Sequence, residues 1–441
     1  MRIAVLTGVF PSVSETFILR QVTGLLDRGH EVEIYAEGRP TPGEPVHADF
    51  IGYGLQARTR YVTLPSASSA ELSVWPLAGR VWPPGSERGE RNLGRIAKAL
   101  PAVSRNLRRA PRLTAAALYP REFGYQAASL SALWRLDALA SAGGKFDVVH
   151  AHFGPVASSL RFAGTLWGAP LVVSFHGYDF SAWPRRHGAG AYARLFPRAD
   201  VVTVNSDHTR ERLIGLGCPP AKLRLLPVGL DPGAYPYRER TAQPEAQVRL
   251  ATVTRLVPKK GLQYLLPAVA AVLSDHPRLR LDVAGDGPLR QELELLRDEL
   301  GLGDVVHFHG AVEGKAVREL LERADLFAMV SVAAGGDEEG QGLALQEAQA
   351  CGLPVLASDH GPLPEGLLPG RSGLVVRAGD VDAIAAGLRE LLERPQAWAA
   401  MGREGRRFAE AHYDSGLLND RLVDLYEESL NRGRKPWRAR A

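Results

Sequence analysis

A strand–helix–strand unit opens the chain, and it narrows the possible folds more than any other feature. RIAVLT (2–7) is a short buried strand, followed by a turn at Gly8 and Pro11. Ser14 stands where it caps a helix, with Ile18, Val22, Leu25 and Leu26 along one side. Gly29 closes the helix and HEVEIYA (30–36) returns as a second strand. Strands joined through a helix run parallel, and a parallel sheet needs helices over both faces. The opening therefore commits the chain to a doubly wound α/β sheet.

The alternation recurs. FDVVHAHF (146–153), APLVVSFHG (169–177), ADVVTVNS (199–206) and LRLLPVG (223–229) read as further strands, each carrying a His, Gly or Ser at or next to its end. Functional groups gather at such carboxyl edges. LDPGAYPYRERTAQPEAQ (230–247) has no periodicity and reads as a linker. A second series then begins with VRLATVTRL (248–256) and continues through LRLDVAGDG (279–287), VVHFHG (305–310), ADLFAMVS (324–331), LPVLASD (353–359) and SGLVVR (372–377), with helices between. The expected organisation is an N-terminal domain (1–229), the linker, a C-terminal domain (248–412), and a closing helix with a basic tail (413–441) that packs back on the first domain. The stretch 66–125, with Trp75 and Trp82, follows neither alternation.

Length agrees, since 441 residues exceed what one core of roughly 200 residues accommodates. Two cysteines, Cys218 and Cys351, make no disulfide framework and sit in no metal-ligand spacing. With no signal peptide and no apolar run of about 20 residues, a cytoplasmic protein is expected. Residues 85–125 carry nine Lys or Arg against three Glu. That stretch reads either as a solvated face or as a patch meeting an anionic membrane or polyanionic acceptor. No nucleic-acid motif accompanies it.

The chemistry concentrates in GGDEEGQGLALQEAQACGLPVLAS (335–358), a glycine-rich loop running into a helix. Free amides at Gly340, Gly342 and Leu343, with the positive end of a helix dipole, suit a phosphate. Glu339 precedes the helix and Glu347 lies within it. Eight residues of helical rise cover roughly 12 Å, about the distance from a sugar past a diphosphate to a ribose. Carboxylates accept two hydrogen bonds at once and so suit vicinal hydroxyls. TRLVPKKG (254–261) leaves another strand edge with Arg255 and Lys260, a diphosphate clamp of one fork and one point charge.

Together TRLVPKKG, VAGDGPL (283–289), VVHFHGAV (305–312) and the block from Glu339, with GPLPEGLLPGRSGLVV after it, resemble the family-4 retaining glycosyltransferases of GT-B architecture. In that architecture two Rossmann-like domains face each other across a cleft. The resemblance implies that Glu339 contacts the donor sugar, Glu347 the ribose, Arg255 and Lys260 the diphosphate, and the backbone near Val312 the base. FPSVSETFILRQ (10–21), HAHFG (150–154) and SFHGYDF (175–181) are similar to the colanic-acid, exopolysaccharide-building subset. His176 then falls near the reacting centre. His150 and His152 alternate with Ala151 and are expected to point to opposite faces, so that only one faces the cleft, and His152 is assigned to the acceptor side with Gly8, Ser14 and Glu15. The family's usual glycine pair in the first loop is reduced here to Gly8.

The expected activity is retaining transfer from a nucleotide-diphosphate sugar to a hydroxyl acceptor, lipid-linked by preference, with neither metal nor cofactor. A sugar-nucleotide epimerase or hydrolase on the same fold, a glycosyltransferase of small-molecule natural products, and a non-catalytic nucleotide-sugar-binding module are the alternatives.

Overall fold

Both alternations become parallel sheets in the computed structural model, which describes residues 1–12, 15–43, 46–62, 90–241, 246–312 and 314–431. Among these, the N-terminal sheet holds β1 (Arg2–Val9), β2 (Glu31–Gly38), β3 (Thr59–Tyr61), β4 (Val148–His152), β5 (Leu171–Ser174), β6 (Val201–Val204) and β7 (Leu223–Leu225). Their spatial order is β3-β2-β1-β4-β5-β6-β7. The C-terminal sheet holds β8 (Val248–Val253), β9 (Leu279–Ala284), β10 (Val306–Gly310), β11 (Leu326–Met329), β12 (Val355–Ser358) and β13 (Gly373–Val376). Here the order is β10-β9-β8-β11-β12-β13. Each order reverses once, between β1 and β4 and between β8 and β11. The loops leaving the two sides of such a switch diverge and open a crevice at the carboxyl ends.

The central strands β4, β5, β6, β11 and β12 are buried along their whole length, as expected of strands covered on both faces. The helix Thr16–Asp27 buries Ile18, Leu19, Val22 and Leu25. Its start differs in detail from the expected cap. Glu15 occupies the cap position without a side-chain capping bond, and Ser14 lies outside the described residues.

The closing helix, Ser415–Asn431, crosses to the N-terminal domain and sinks Leu418, Leu422 and Tyr426 into its core. It lies so close to the helix Thr16–Asp27 that a Cβ on Gly24 would meet Asn419 Nδ2 at 2.1 Å. The aperiodic linker is firmly packed over its first half. Leu230 and Tyr235 are buried in the C-terminal core, and Arg240 is buried with its guanidinium on the Arg238 and Leu321 carbonyls. Irregular turns bury single residues at irregular spacing, so no period betrays them.

β3 has no counterpart in the sequence pattern, because three residues are too few to show alternation. Within the stretch that fits neither pattern, Glu90–Arg109 is a helix packed on another, Ser131–Ala142, through Ala99, Ala102, Leu133 and Trp134. Trp75 and Trp82 lie outside the described residues, as does the basic tail beyond 431. No helix among the described residues is long and apolar enough to cross a membrane.

Candidate functional site

At the C-terminal switch point, the chain leaving β8 makes a short turn, Pro258–Lys260, and Gly261 takes a left-handed conformation with φ of 74°. A Cβ on Gly261 would stand 1.9 Å from the Val330 carbonyl oxygen, so only glycine lets this loop lie against the exit of β11. The result is a buried ion pair. Lys260 Nζ donates to Glu339 Oε2 at 2.5 Å, and Ser331 Oγ donates to the same oxygen at 3.0 Å. Burial alone would raise the Glu339 pKa, but the Lys260 and Lys259 charges outweigh it and hold the carboxyl at about 2. Burial pulls Lys260 below the ordinary lysine range, with the Glu339 charge opposing. Glu339 is an anion at every physiological pH.

Lys259 is buried as well, on Asp337 Oδ2 at 2.9 Å and the Glu338 carbonyl at 3.0 Å. Arg255 is exposed, and its guanidinium makes no ion pair among the described residues. The loop is therefore cationic, with one of its charges free to meet an anion.

Gly342, with φ of 83°, caps the helix Leu343–Ala350. Because helix begins only at Leu343, the 1.5 Å rise applies to the four steps from there to Glu347, about 6 Å. The rest of the path between the two glutamates is loop, which corrects the uniform helical separation expected from the sequence. Glu347 accepts a bond from Tyr235 Oη at 2.6 Å. Burial raises its pKa, against the Tyr235 bond and the Arg20 and Arg318 charges.

On the N-terminal side His176 leaves β5. The backbone amides of His176, Gly177 and Gly154 all point at Asp179, whose carboxylate gathers them at 2.8 to 3.2 Å. This holds the HGYD turn in one shape. His152 Nδ1 and His176 Nε2 are 3.1 Å apart with their rings stacked, while His176 Nδ1 is buried without a partner among the described residues. Burial drives His152 well below its usual range and His176 to about 3, so both are neutral near pH 7.

The expectation that His150 and His152 point to opposite faces of the sheet is overturned. Their ring centroids are 4.4 Å apart, since residues two apart on a strand project to the same face. His150 nonetheless belongs to the interior. It bonds Tyr426 Oη and Ser174 Oγ, each at 2.7 Å, and Ser174 continues to Thr203 at 2.5 Å.

The two domains touch at this point. A Cβ on Gly340 would lie 1.9 Å from the His176 carbonyl oxygen. Gln341 exchanges two bonds with the Val228 backbone, at 2.7 and 2.9 Å. Glu338 receives His208 at 3.0 Å and Arg212 at 2.8 Å. Glu365 accepts the Asp207 and His208 amides, at 2.7 and 2.8 Å, at the start of the helix Asp207–Gly215. An anion there meets the positive end of the helix dipole.

The acceptor-side candidates are more scattered. Gly8 lies within β1, one residue before its end. The Glu15 carboxyl is turned inward, its Oε2 has no partner among the described residues, and burial pushes it up to about 8. Val312 follows β10, beyond β9 as seen from β8. Sequence reasoning missed Lys259, Ser331, Asp179, Glu338 and Tyr235. The doubled lysine in PKKG and the aspartate in HGYD were visible signals, but nothing in the linker's composition marked Tyr235.

Comparison with known proteins now bears on this geometry. The family model described as glycosyl transferases group 1 matches residues 236–408, and the glycosyl transferase 4-like domain matches 14–229. A glycosyltransferase assigned to colanic acid biosynthesis, WcaL of Salmonella typhimurium, is 33% identical over 97% of this chain and 100% of its own. The amylovoran biosynthesis glycosyltransferase AmsK of Erwinia amylovora is 30% identical, covering 97% and 99%. Among solved structures, Anabaena HepE in complex with UDP and glucose superposes with a TM-score of 0.66 at 18% identity, over 97% of this chain and 100% of that one. That likeness concerns the fold.

Proposed function

The chain belongs to the group 1 glycosyltransferases, the family of the exopolysaccharide enzymes WcaL and AmsK, and from that premise we propose that it transfers sugar with retention and without a metal. It is a nucleotide-sugar glycosyltransferase of polysaccharide biosynthesis. The observation that carries the finer reading is the buried Lys260–Glu339 pair, set beneath the glycine-rich start of a helix and facing His176 across the cleft.

In this reading Glu339 stays ionised and accepts from hydroxyls of the transferred sugar, where positive charge develops in the transition state. Arg255, Lys260 and the amides at Gly340, Gly342 and Leu343 meet the diphosphate, and they supply the positive charge that a cation supplies elsewhere. Glu347 takes the ribose and the backbone near Val312 the base. In this reading no side chain among the described residues is assigned as a nucleophile toward the sugar carbon. The acceptor oxygen therefore bonds to that carbon on the face from which the diphosphate departs, and the acceptor proton passes to a leaving phosphate oxygen. His176, neutral and held by His152, presents Nδ1 for a hydrogen bond near the reacting centre.

Product analysis with a nucleotide-diphosphate sugar tests the reading, run with and without acceptor and with EDTA throughout. Expected are acceptor-dependent transfer, a product of unchanged anomeric configuration, and a rate within about twofold of the EDTA-free control. Turnover without acceptor points instead to an epimerase or hydrolase. Activity lost to EDTA and restored by magnesium refutes the side-chain clamp.

A lipid-linked acceptor at the inner face of the membrane is part of the proposal. The helix Glu90–Arg109 supports it, because Leu100 and Leu107 are 61% and 50% exposed beside Arg108 and Arg109. Not every arginine there is free. Arg105 pairs with Asp137 at 2.6 Å and Arg109 reaches Ser141 at 2.9 Å, each joining the helix to its neighbour. The protein should co-sediment with vesicles containing anionic lipid and release as salt rises. Arg108→Gln with Leu107→Ser should at least halve the bound fraction. Equal binding to neutral vesicles, or none to either, ends the membrane reading.

A further inference from the structure

We propose that Tyr235, in the segment joining the two domains, is the positioning residue for Glu347, holding its carboxylate ready for the ribose end of the donor. This rests on the reading of Glu347 given above.

The observations begin with the phenol. Tyr235 Oη donates to Glu347 Oε1 at 2.6 Å, across 112 positions of sequence. No other hydrogen bond reaches the Glu347 carboxylate from the described residues. The tyrosine is itself immobilised. It is 4% exposed, among Leu230, Ala348, Cys351 and Tyr413 in the C-terminal core. Arg406 Nη1 ties its carbonyl at 2.9 Å to the Ala350 carbonyl at 2.6 Å, at the end of the helix that carries Glu347.

Chemistry explains why such a holder is useful. A glutamate has three rotatable side-chain bonds, and freezing them at the moment of binding costs affinity. One oxygen already occupied by Tyr235 leaves the other, with its lone pairs and charge, for vicinal hydroxyls. Burial pushes Tyr235 itself upward, so it remains a proton donor at all working pH values. Arg20, from the helix Thr16–Asp27 of the other domain, acts on Tyr235 through charge and a side-chain hydrogen bond and on Glu347 through charge, and its Nη1 has no partner among the described residues. First domain, linker and second domain thus converge on one carboxylate. Tyr235 acts on the donor only through Glu347.

The experiment is a double-mutant cycle on the full chain, with Tyr235→Phe, Glu347→Gln and the pair, measuring donor KM, kcat and acceptor KM. Phenylalanine keeps the ring and its packing, so folding is preserved. Tyr235→Phe should raise donor KM about five- to tenfold while kcat and acceptor KM stay within about twofold. In the Glu347→Gln background the same change should add less than about twofold, because the group it positions is already compromised. A full, additive rise in that background makes Tyr235 plain packing and overturns the proposal, as does an unchanged KM in the single variant. If Glu347→Gln alone leaves donor KM unchanged, the ribose assignment itself fails and takes this proposal with it.

Discussion

Glu339→Gln should lower kcat by about 10² or more, because on the proposed reading it removes the carboxylate charge that meets the transferred sugar. The geometry makes that charge unusually dependable. With its pKa at about 2, Glu339 stays ionised from pH 5 to 9, so the activity profile over that range owes nothing to its titration. Its pKa is depressed relative to the unfolded chain. The stability it contributes is therefore complete above the ordinary carboxylate range and is lost only as pH falls through about 2.

The same substitution has a structural side. Lys260 and Glu339 are 11% and 8% exposed, and neutralising one partner strands the other charge. Breaking a buried pair in this way costs about 3–5 kcal/mol, so Tm should fall clearly. The double variant Glu339→Gln with Lys260→Met separates the two effects. Removing both charges should recover much of the lost Tm without recovering kcat. A folded Glu339→Gln protein that turns over within about twofold of the parent ends the assignment of Glu339 to the transferred sugar.

Gly340→Ala should abolish most activity through a different cause. The new Cβ would sit 1.9 Å from the His176 carbonyl oxygen and 3.3 Å from the Gly177 Cα, all backbone of the opposite domain. No rotamer relieves a clash with backbone. The available relief is to part the domains, which also draws Gln341 from Val228 and Glu338 from His208 and Arg212. A displacement of about 1 Å at a reacting centre can cost about 10² in rate, and that loss in kcat/KM is expected. Each domain keeps its own core, so Tm should drop only slightly while small-angle scattering reports a larger radius of gyration. Activity like the parent's would mean that this contact forms no part of turnover.

Much of the architecture was legible before any coordinates. The short apolar runs and the helical spacing between them are local patterns, and they marked twelve of the strands that the two sheets contain among the described residues. Among the described strands β3 escaped, three residues long and without an apolar run. The candidate donor residues were also legible, because Arg255, Lys260 and Glu339 sit at strand ends or before a helix start, where glycines advertise close approach, and Glu347 follows within that helix. Histidines were harder. Composition at HAHFG could not tell that His150 turns to Tyr426 of the last helix while His152 turns to His176.

By itself, then, the sequence determined two doubly wound halves, their order along the chain, and which loops carry charge. Each of these follows from neighbours within a dozen residues, where periodicity and turn chemistry act. Only the tertiary structure decided which charges meet. Lys260 finds Glu339 across 79 positions and Tyr235 finds Glu347 across 112. Gly340 rests on His176 only because the domains close. Such contacts depend on strand order, on the packing of a linker without period and on the fit of two separately formed domains, and burial energy sets all three without leaving a local mark.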